Sequence, residues 1–373
     1  MNFIYSVAIL SGTIIGAGIF ALPYLAKEVG FLNMLLYLFV IGGVSVLVHL
    51  FFGNLSRRTP DFLRLPGFAE IHLGSWAKKI SMITGICGLM GATLAYIILG
   101  GSFLNSLLPE VSLSFMESET FYSLVYFFLG ATFIYFGVKA VGKISFYGVI
   151  SFIVVLFFIF IRGWSSIEIG NITNFMTFKG SFSDFFLPYG VILFSFQGAA
   201  LIPEIEELLK GQKENLNKAI ILGVTIPLFL YIFFIIIVLG ITGGSTTSES
   251  IIGLQENLTN GVISAALIFG ILVTFTSFVA VGLTLKKIIW YDLKIPENMS
   301  FLITMFVPLF LFGIGIRSYI DVIGVIGAIF LAIDAIFITV MYQKYKTARY
   351  CFITCPLIVV FVLGIIYQIC YYF

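Results

Sequence analysis

The sequence predicts an all-α integral membrane protein of about eleven transmembrane helices, with the first and the sixth broken in mid-membrane. Three observations predict this. Of 373 residues, 60% are hydrophobic and only 10% are charged, whereas a soluble domain carries about 25% charged residues. Lysine and arginine fall overwhelmingly on one side once the spans are drawn. Two spans carry glycine at half-depth, with a proline at the same distance beyond each.

No strand-like alternation runs through the chain, so helices rather than a closed barrel must satisfy the backbone in hydrocarbon. A span needs about 20 apolar residues. Eleven such segments, spans 1 to 11, lie near residues 3–26, 31–53, 80–108, 121–138, 144–161, 185–203, 219–241, 261–285, 299–316, 318–343 and 350–373. The first is too long for a cleavable signal peptide and no charged region precedes it.

Orientation follows from the basic residues of the connections. With the N-terminus inside, sixteen fall on the inner side: Arg57, Arg58, Arg64, Lys78, Lys79, Lys139, Lys143, Lys210, Lys213, Lys218, Lys286, Lys287, Lys294, Lys344, Lys346 and Arg349. Only Lys27, Arg162, Lys179 and Arg317 fall outside. This places the N-terminus in the cytoplasm and, after eleven spans, the C-terminus outside, as in a multi-pass protein of the cell membrane. The connection 54–79 contains "LPGFAEIHLGSWAKKI", whose mix of apolar and basic residues suits a short helix at the inner interface. A solvated loop is the alternative.

Several function classes lack their residues. Cys87, Cys351, Cys355 and Cys370 all fall within spans and read as packing residues. Cys351 and Cys355 are one turn apart, with no histidine or carboxylate beside them to complete a metal site. His49 and His72 lie close to the inner face without catalytic company. No hydrolase triad, phosphate loop or nucleic-acid patch is present, and no cofactor is expected.

The first break is "SGTIIGAGIF", residues 11–20, with Gly12, Gly16 and Gly18 in mid-span. The second is "VILFSFQGAALIPEI", residues 191–205, with Gly198 beside serine and glutamine. Pro23 follows Gly18 by five residues, and Pro203 follows Gly198 by five. Two interrupted spans set five helices apart open the halves of a repeat, and because five is odd the second half is inverted. The expected units are residues 1–162 (spans 1–5), 163–347 (spans 6–10) and 348–373 (an additional span). Paired interruptions of this kind point to a midplane binding site. A half-helix N-terminus favours a carboxylate, and freed carbonyls favour an ammonium group or a metal cation, so an amino acid is the natural guest. Either glycine cluster alone would also serve close helix packing.

"GTIIGAGIFALPYL" resembles the first-helix signature of the amino acid–polyamine–organocation superfamily, especially its amino acid/auxin and hydroxy/aromatic amino acid permease branches. Further echoes are "GFAEIHLGSWAKKI", "ATLAYIILGGSFL" in span 3, "GVKAVGKI" entering span 5, "LFSFQGAALIPEI" in span 6 and "TFTSFVAVGLTL" in span 8. The resemblance covers spans 1 to 10. It implies a five-plus-five inverted-repeat fold of the LeuT type, working by alternating access. It also implies that a substrate carboxylate meets the backbone at Gly16, Ala17 and Gly18. The amine would meet carbonyls near Ile14 and around Ser195, Phe196 and Gln197, and Tyr96 matches an aromatic position flanking the substrate. Tyr96 as a core tyrosine and Gln197 as a packing partner for a bared carbonyl are the alternatives.

The resemblance further implies a sodium site made by the hydroxyls of Thr276 and Ser277 with the carbonyls of Gly12, Ile15 and Val273. Helix hydroxyls also commonly bond back to the preceding turn. Proton-driven members often place a lysine in mid span 5, where this chain reads "FYGVISFIVVLFF", and that departure favours sodium. Asp334 is the one acidic residue deep within a span and hence a proton-carrying candidate. It sits about 5 Å inward of the midpoint of span 10 at 1.5 Å per residue, a depth like that of Thr276 and Ser277. A neutral, hydrogen-bonded aspartic acid is the other possibility. Glu204, Glu206 and Glu207 mark either a solvated exit from span 6 or an inner gate with a lysine such as Lys78.

No charged residue stands beside either break, which argues against arginine, lysine and glutamate as substrates. Phe194, Phe196 and Tyr96 could line an apolar pocket, although 17% of all residues are aromatic. The expectation is a sodium-driven symporter of neutral, apolar or aromatic amino acids, embedded in lipid, with no nucleic-acid partner. The alternatives are a proton-coupled permease using Asp334 and an amino-acid-sensing receptor without significant flux. A receptor would carry a soluble extension, whereas this sequence opens on its first span and closes on its last. An intramembrane enzyme would need companions for Asp334, and a channel a filter motif.

Overall fold

The computed structural model describes residues 2–59, 63–108, 116–137, 141–177, 182–209, 212–346 and 351–372. Lys139, Lys179, Lys210 and Arg349 lie outside the described residues, as does the boundary expected at 347–348. The described chain is helical nearly throughout. Seven of its helices are long and apolar enough to cross a bilayer, and a pair bent by 47°, Asn2–Ile14 with Ala17–Val29, makes an eighth.

Three more segments complete eleven among the described residues. Span 5 is Val141–Gly163, span 6 is split into Pro188–Ser195 and Ile202–Leu208, and span 9 is Glu297–Gly313. Span 9 has 17 residues, about 25 Å at 1.5 Å per residue and so short for a hydrocarbon core of about 30 Å. The others are Phe31–Ser56, Ser75–Leu107, Ser118–Phe136, Lys213–Thr242, Asn260–Lys287, Tyr319–Val325 continuing to Lys346, and Cys351–Tyr372. A separate short helix, Leu65–Leu73, occupies the connection after span 2.

The two breaks share a plan. In span 1 the α-helix ends at Ile14, Gly16 is extended (φ −118°, ψ −152°), Ala17–Ala21 form a 3₁₀ turn, and an α-helix restarts at Leu22 with Pro23 in its first turn. In span 6 the helix ends at Ser195, Gly198 departs from helical geometry (φ −159°, ψ −5°), Ala199–Leu201 form a 3₁₀ turn, and Ile202 restarts the helix with Pro203 in its first turn. Proline has no N–H to give, so it fits where helix donors are unpaired anyway. Gly30, at φ +88°, turns span 1 into span 2, a conformation that glycine adopts without strain.

Contacts between connections sort them into two ends. On the side of the N-terminus, Asn2 donates to the Leu208 carbonyl (3.2 Å), Arg64 pairs with Asp292 (2.9 Å) and Lys344 donates to the His72 carbonyl (2.8 Å). On the other, Lys27 donates to the Thr246 carbonyl (3.1 Å), Gln255 to the Ser106 carbonyl (3.2 Å) and Arg317 to Thr120. Exposed ion pairs add little stability. Their value here is to show that the chain crosses in the alternation that eleven spans require. Lys78 pairs with Glu70 at 2.6 Å, so it is engaged within its own connection and not with the glutamates after span 6. Span 11 lies on span 10, where Gln343 approaches Cys351 and Cys355 (3.4 and 3.8 Å).

Span 7 shows how one break in hydrogen bonding can be repaired by a neighbour. Pro227 lies inside Lys213–Thr242 and cannot donate to the carbonyl one turn back, at Gly223. The Ser11 hydroxyl of span 1 donates to that carbonyl at 3.2 Å. A Cβ on Gly223 would lie 2.8 Å from Leu10 Cγ, so spans 1 and 7 pack backbone to side chain just below the break.

Candidate functional site

The breaks of spans 1 and 6 meet. A Cβ built on Gly18 would lie 2.9 Å from Ser195 Cα, well inside the 3.5–4.0 Å at which carbon atoms attract. Only a residue without a side chain lets these two unwound segments approach so closely. Gly198 faces the lower half of span 1, where a Cβ would lie 2.8 Å from Leu10 Cδ1 and 3.1 Å from Ile14 Cγ1.

Unwinding frees backbone groups, and in a membrane interior each needs a partner. Tyrosines supply them. The Tyr231 hydroxyl of span 7 lies 2.6 Å from the Ile14 carbonyl oxygen and 2.7 Å from that of Ser195. The Tyr319 hydroxyl, at the start of span 10, donates to the Ala17 carbonyl. The Tyr96 hydroxyl lies near the Ala17 backbone and the Ser277 hydroxyl. A Cβ on Gly16 would lie 3.3 Å from that same Tyr96 oxygen. All three tyrosines are buried.

Ile14, Gly16, Ala17, Gly18, Tyr96 and Ser195 are thus brought together at one point. Ser195 takes part through its main chain, since its hydroxyl bonds back to the Val191 carbonyl at 2.8 Å. Phe194 is buried, and its backbone lies against Gly327 of span 10. The Phe196 ring is buried against Tyr231, with centroids 5.4 Å apart, and faces Gly42 of span 2. It therefore fills the space between spans 2 and 7. Gln197 is half-buried.

Accessibility around the breaks is lopsided. Ala17 and Ile19 to Leu22 are wholly buried. Thr13 and Ala200 are exposed, and Gly12 and Ala199 are half-buried. The more accessible residues flanking the breaks lie on the side that bears the N-terminus.

Among the residues of the expected cation site, Thr276 donates to the Val273 carbonyl at 3.0 Å, and Ser277 lies beside Tyr96. Span 8 packs against the 3₁₀ turn Ala17–Ala21. Ile15 is buried, and its N–H donates to the Ser11 carbonyl at 2.8 Å. A hydroxyl that donates its one proton keeps lone pairs for a cation. Two hydroxyls with three carbonyls are hard oxygen donors of the kind that bind alkali and alkaline-earth ions.

Asp334 is joined to span 3. Its carboxylate oxygen accepts from Thr84 at 2.6 Å, and the same Thr84 hydroxyl lies 3.1 Å from the Ser81 carbonyl. If this bond is its role, Asp334→Asn keeps an acceptor oxygen in place. Uptake should then stay within about twofold of wild type, since the bond from Thr84 is retained and no buried donor is left unpaired. Initial rates in proteoliposomes check this.

Tyr231, Tyr319 and Ser11 were not among the sequence-derived candidates. Another is His49 of span 2. Its Nδ1 pairs with the Ser45 carbonyl at 2.6 Å, its Nε2 is buried without a partner, and a Cβ on Gly198 would lie 3.1 Å from that nitrogen. The available signal was a polar atom within an apolar span.

The model of the tryptophan/tyrosine permease family matches residues 1–371. "Tyrosine-specific transport system 1" of Haemophilus influenzae is 28% identical over 317 residues, covering 79% of this chain and 74% of its own length. "Glutamine transporter 2" of Aliivibrio fischeri is 26% identical over 349 residues, covering 89% and 87%. "Low affinity tryptophan permease" of Proteus vulgaris is 25% identical over 320 residues, covering 78% and 73%. The crystal structure of MhsT in complex with L-phenylalanine superposes with a TM-score of 0.70 at 13% identity, covering 97% of this chain and 98% of that one. That likeness shows the fold, the LeuT-type arrangement of two inverted five-helix repeats with broken first and sixth helices.

Proposed function

Because the chain belongs to the tryptophan/tyrosine permease family, we propose that it is a symporter of neutral amino acids with large apolar or aromatic side chains, working at the two breaks by alternating access and driven by sodium. It is a multi-pass membrane protein and a transporter, not an enzyme. The observation that carries the proposal is the meeting of the breaks at Gly18 and Ser195, where main-chain groups from both halves converge at one buried point. Such a site grips the ammonium and carboxylate that all amino acids share. Side-chain selectivity then falls to its apolar surroundings. Relatives named for tyrosine, tryptophan and glutamine all handle side chains without charge, which agrees with breaks that carry none.

The hydroxyls of Thr276 and Ser277, with the carbonyls of Gly12, Ile15 and Val273, are proposed as the sodium ligands. The basic residues favour an N-terminus in the cytoplasm, so the accessible approach to the breaks would be the cytoplasmic one. The carboxylate of Asp334, bonded to Thr84, supports proton coupling as the second reading.

One uptake experiment separates these. In proteoliposomes, L-tryptophan, L-tyrosine and L-phenylalanine should accumulate under an inward sodium gradient at uniform pH, and arginine and glutamate should not compete. Equal accumulation in potassium with a pH gradient would remove the sodium site and favour Asp334. Binding without accumulation under either gradient would make the protein a sensor.

A further inference from the structure

The Tyr231 hydroxyl has one proton and two carbonyl oxygens in reach, Ile14 at 2.6 Å and Ser195 at 2.7 Å. It donates to one at a time. The Ile14 oxygen also accepts from the Gly16 N–H at 2.8 Å, so it stays bonded when the tyrosine turns away. When the tyrosine proton goes to Ile14 instead, the Ser195 oxygen faces a hydroxyl lone pair, an arrangement that calls for a further donor. Tyr231 is wholly buried, and its ring is held against Phe196. The Ser11 bond to the Gly223 carbonyl pins span 7 to span 1 two turns away. The hydroxyl is thus held in one place between the two breaks.

We propose that Tyr231 is a positioning residue for the α-ammonium group of the substrate. In the loaded carrier its proton rests on the Ile14 carbonyl, one ammonium N–H takes the Ser195 carbonyl, and a second donates to the tyrosine oxygen. One hydroxyl thereby keeps both breaks in register when the site is empty and yields an acceptor to each arriving amine. This rests on the proposal that the breaks bind an amino acid.

The test compares three competitors on wild type and Tyr231→Phe: L-tryptophan, tryptamine (no carboxylate) and indole-3-propionate (no amine). The variant should weaken L-tryptophan and tryptamine by about tenfold or more, the effect of a lost hydrogen bond to a charged group. It should leave indole-3-propionate within about twofold. A parallel loss for all three, as from a packing defect, overturns the proposal, and so does no loss for any. Should the variant fail to fold, wild type decides. N,N,N-trimethyl-L-tryptophan keeps the charge but has no N–H, and binding equal to that of L-tryptophan would overturn the proposal, while at least tenfold weaker binding is the result expected. Wild type that binds no amino acid under any gradient instead refutes the transport reading itself.

Discussion

Replacing Gly18 by leucine is expected to abolish uptake. A Cβ at this position would lie 2.9 Å from Ser195 Cα, and the obstruction is backbone, which cannot swing aside as a side-chain tip can. Alanine alone should cost about 1–3 kcal/mol, the usual penalty of overpacking. Leucine adds three carbons to a space that has none to spare. Gly16 is the milder case, since its Cβ would lie 3.3 Å from the Tyr96 oxygen and a hydroxyl can give way slightly. Gly16→Ala should therefore retain more uptake than Gly18→Ala. Gly43→Ala is the control, because its Cβ would meet nothing within 4 Å, and a helical glycine-to-alanine change should leave the fold intact or steadier. Initial uptake rates and thermal unfolding on the same preparations check the series. Wild-type uptake by Gly18→Leu would show that the two breaks do not meet.

Ser277→Ala is expected to raise the sodium concentration for half-maximal uptake by about tenfold, equivalent to about 1.4 kcal/mol. Thr276→Val should do likewise. Each removes one hard oxygen donor while leaving the helix its backbone bonds. Thr276→Ser is the matched control, since it keeps both the hydroxyl and its bond to the Val273 carbonyl, and its sodium dependence should lie near wild type. Ser277→Ala also strips Tyr96 of a neighbour, so its substrate affinity should fall alongside, whereas that of Thr276→Val should not. Sodium titration of uptake at saturating substrate separates the two effects. An unchanged sodium dependence in both variants would discard the span 8 site.

The breaks were legible because their cause is covalent. Proline lacks an N–H and glycine a Cβ wherever they stand, so the matched spacing of Gly18 with Pro23 and of Gly198 with Pro203 announces both restarts without tertiary information. Which connections share an end was legible for a similar reason, since a lysine in hydrocarbon is costly whatever its neighbours. Span ends were less so. Span 3 begins at Ser75 and span 7 at Lys213, several residues before their apolar cores, because a helix's hydrogen bonding continues past the hydrocarbon edge.

What stayed hidden is lateral. Tyr231 and Tyr319 matter because of which carbonyl each meets across a helix interface, and nothing in their local sequence separates them from the other tyrosines among 18. Asp334 shows the same limit, since its depth can be counted along a helix but its partner, Thr84, could not. His49 reads as a lone histidine near one face. In the fold its free nitrogen lies against Gly198, some 150 positions away in the chain.

Phe194 is held against Gly327, and this contact belongs to a longer one. A Cβ on Gly190 would lie 2.9 Å from the carbonyl carbon of Gly324, and one on Gly327 would lie 2.9 Å from the Phe194 nitrogen. The upper half of span 6 and span 10 thus lie main chain on main chain, with span 10 in π-helical geometry at Ile326–Leu331. Where two helices meet at main-chain atoms, fewer side chains must change rotamer for the faces to part and close again. A joint of this kind yields to sliding or parting more readily than one built from interdigitated side chains.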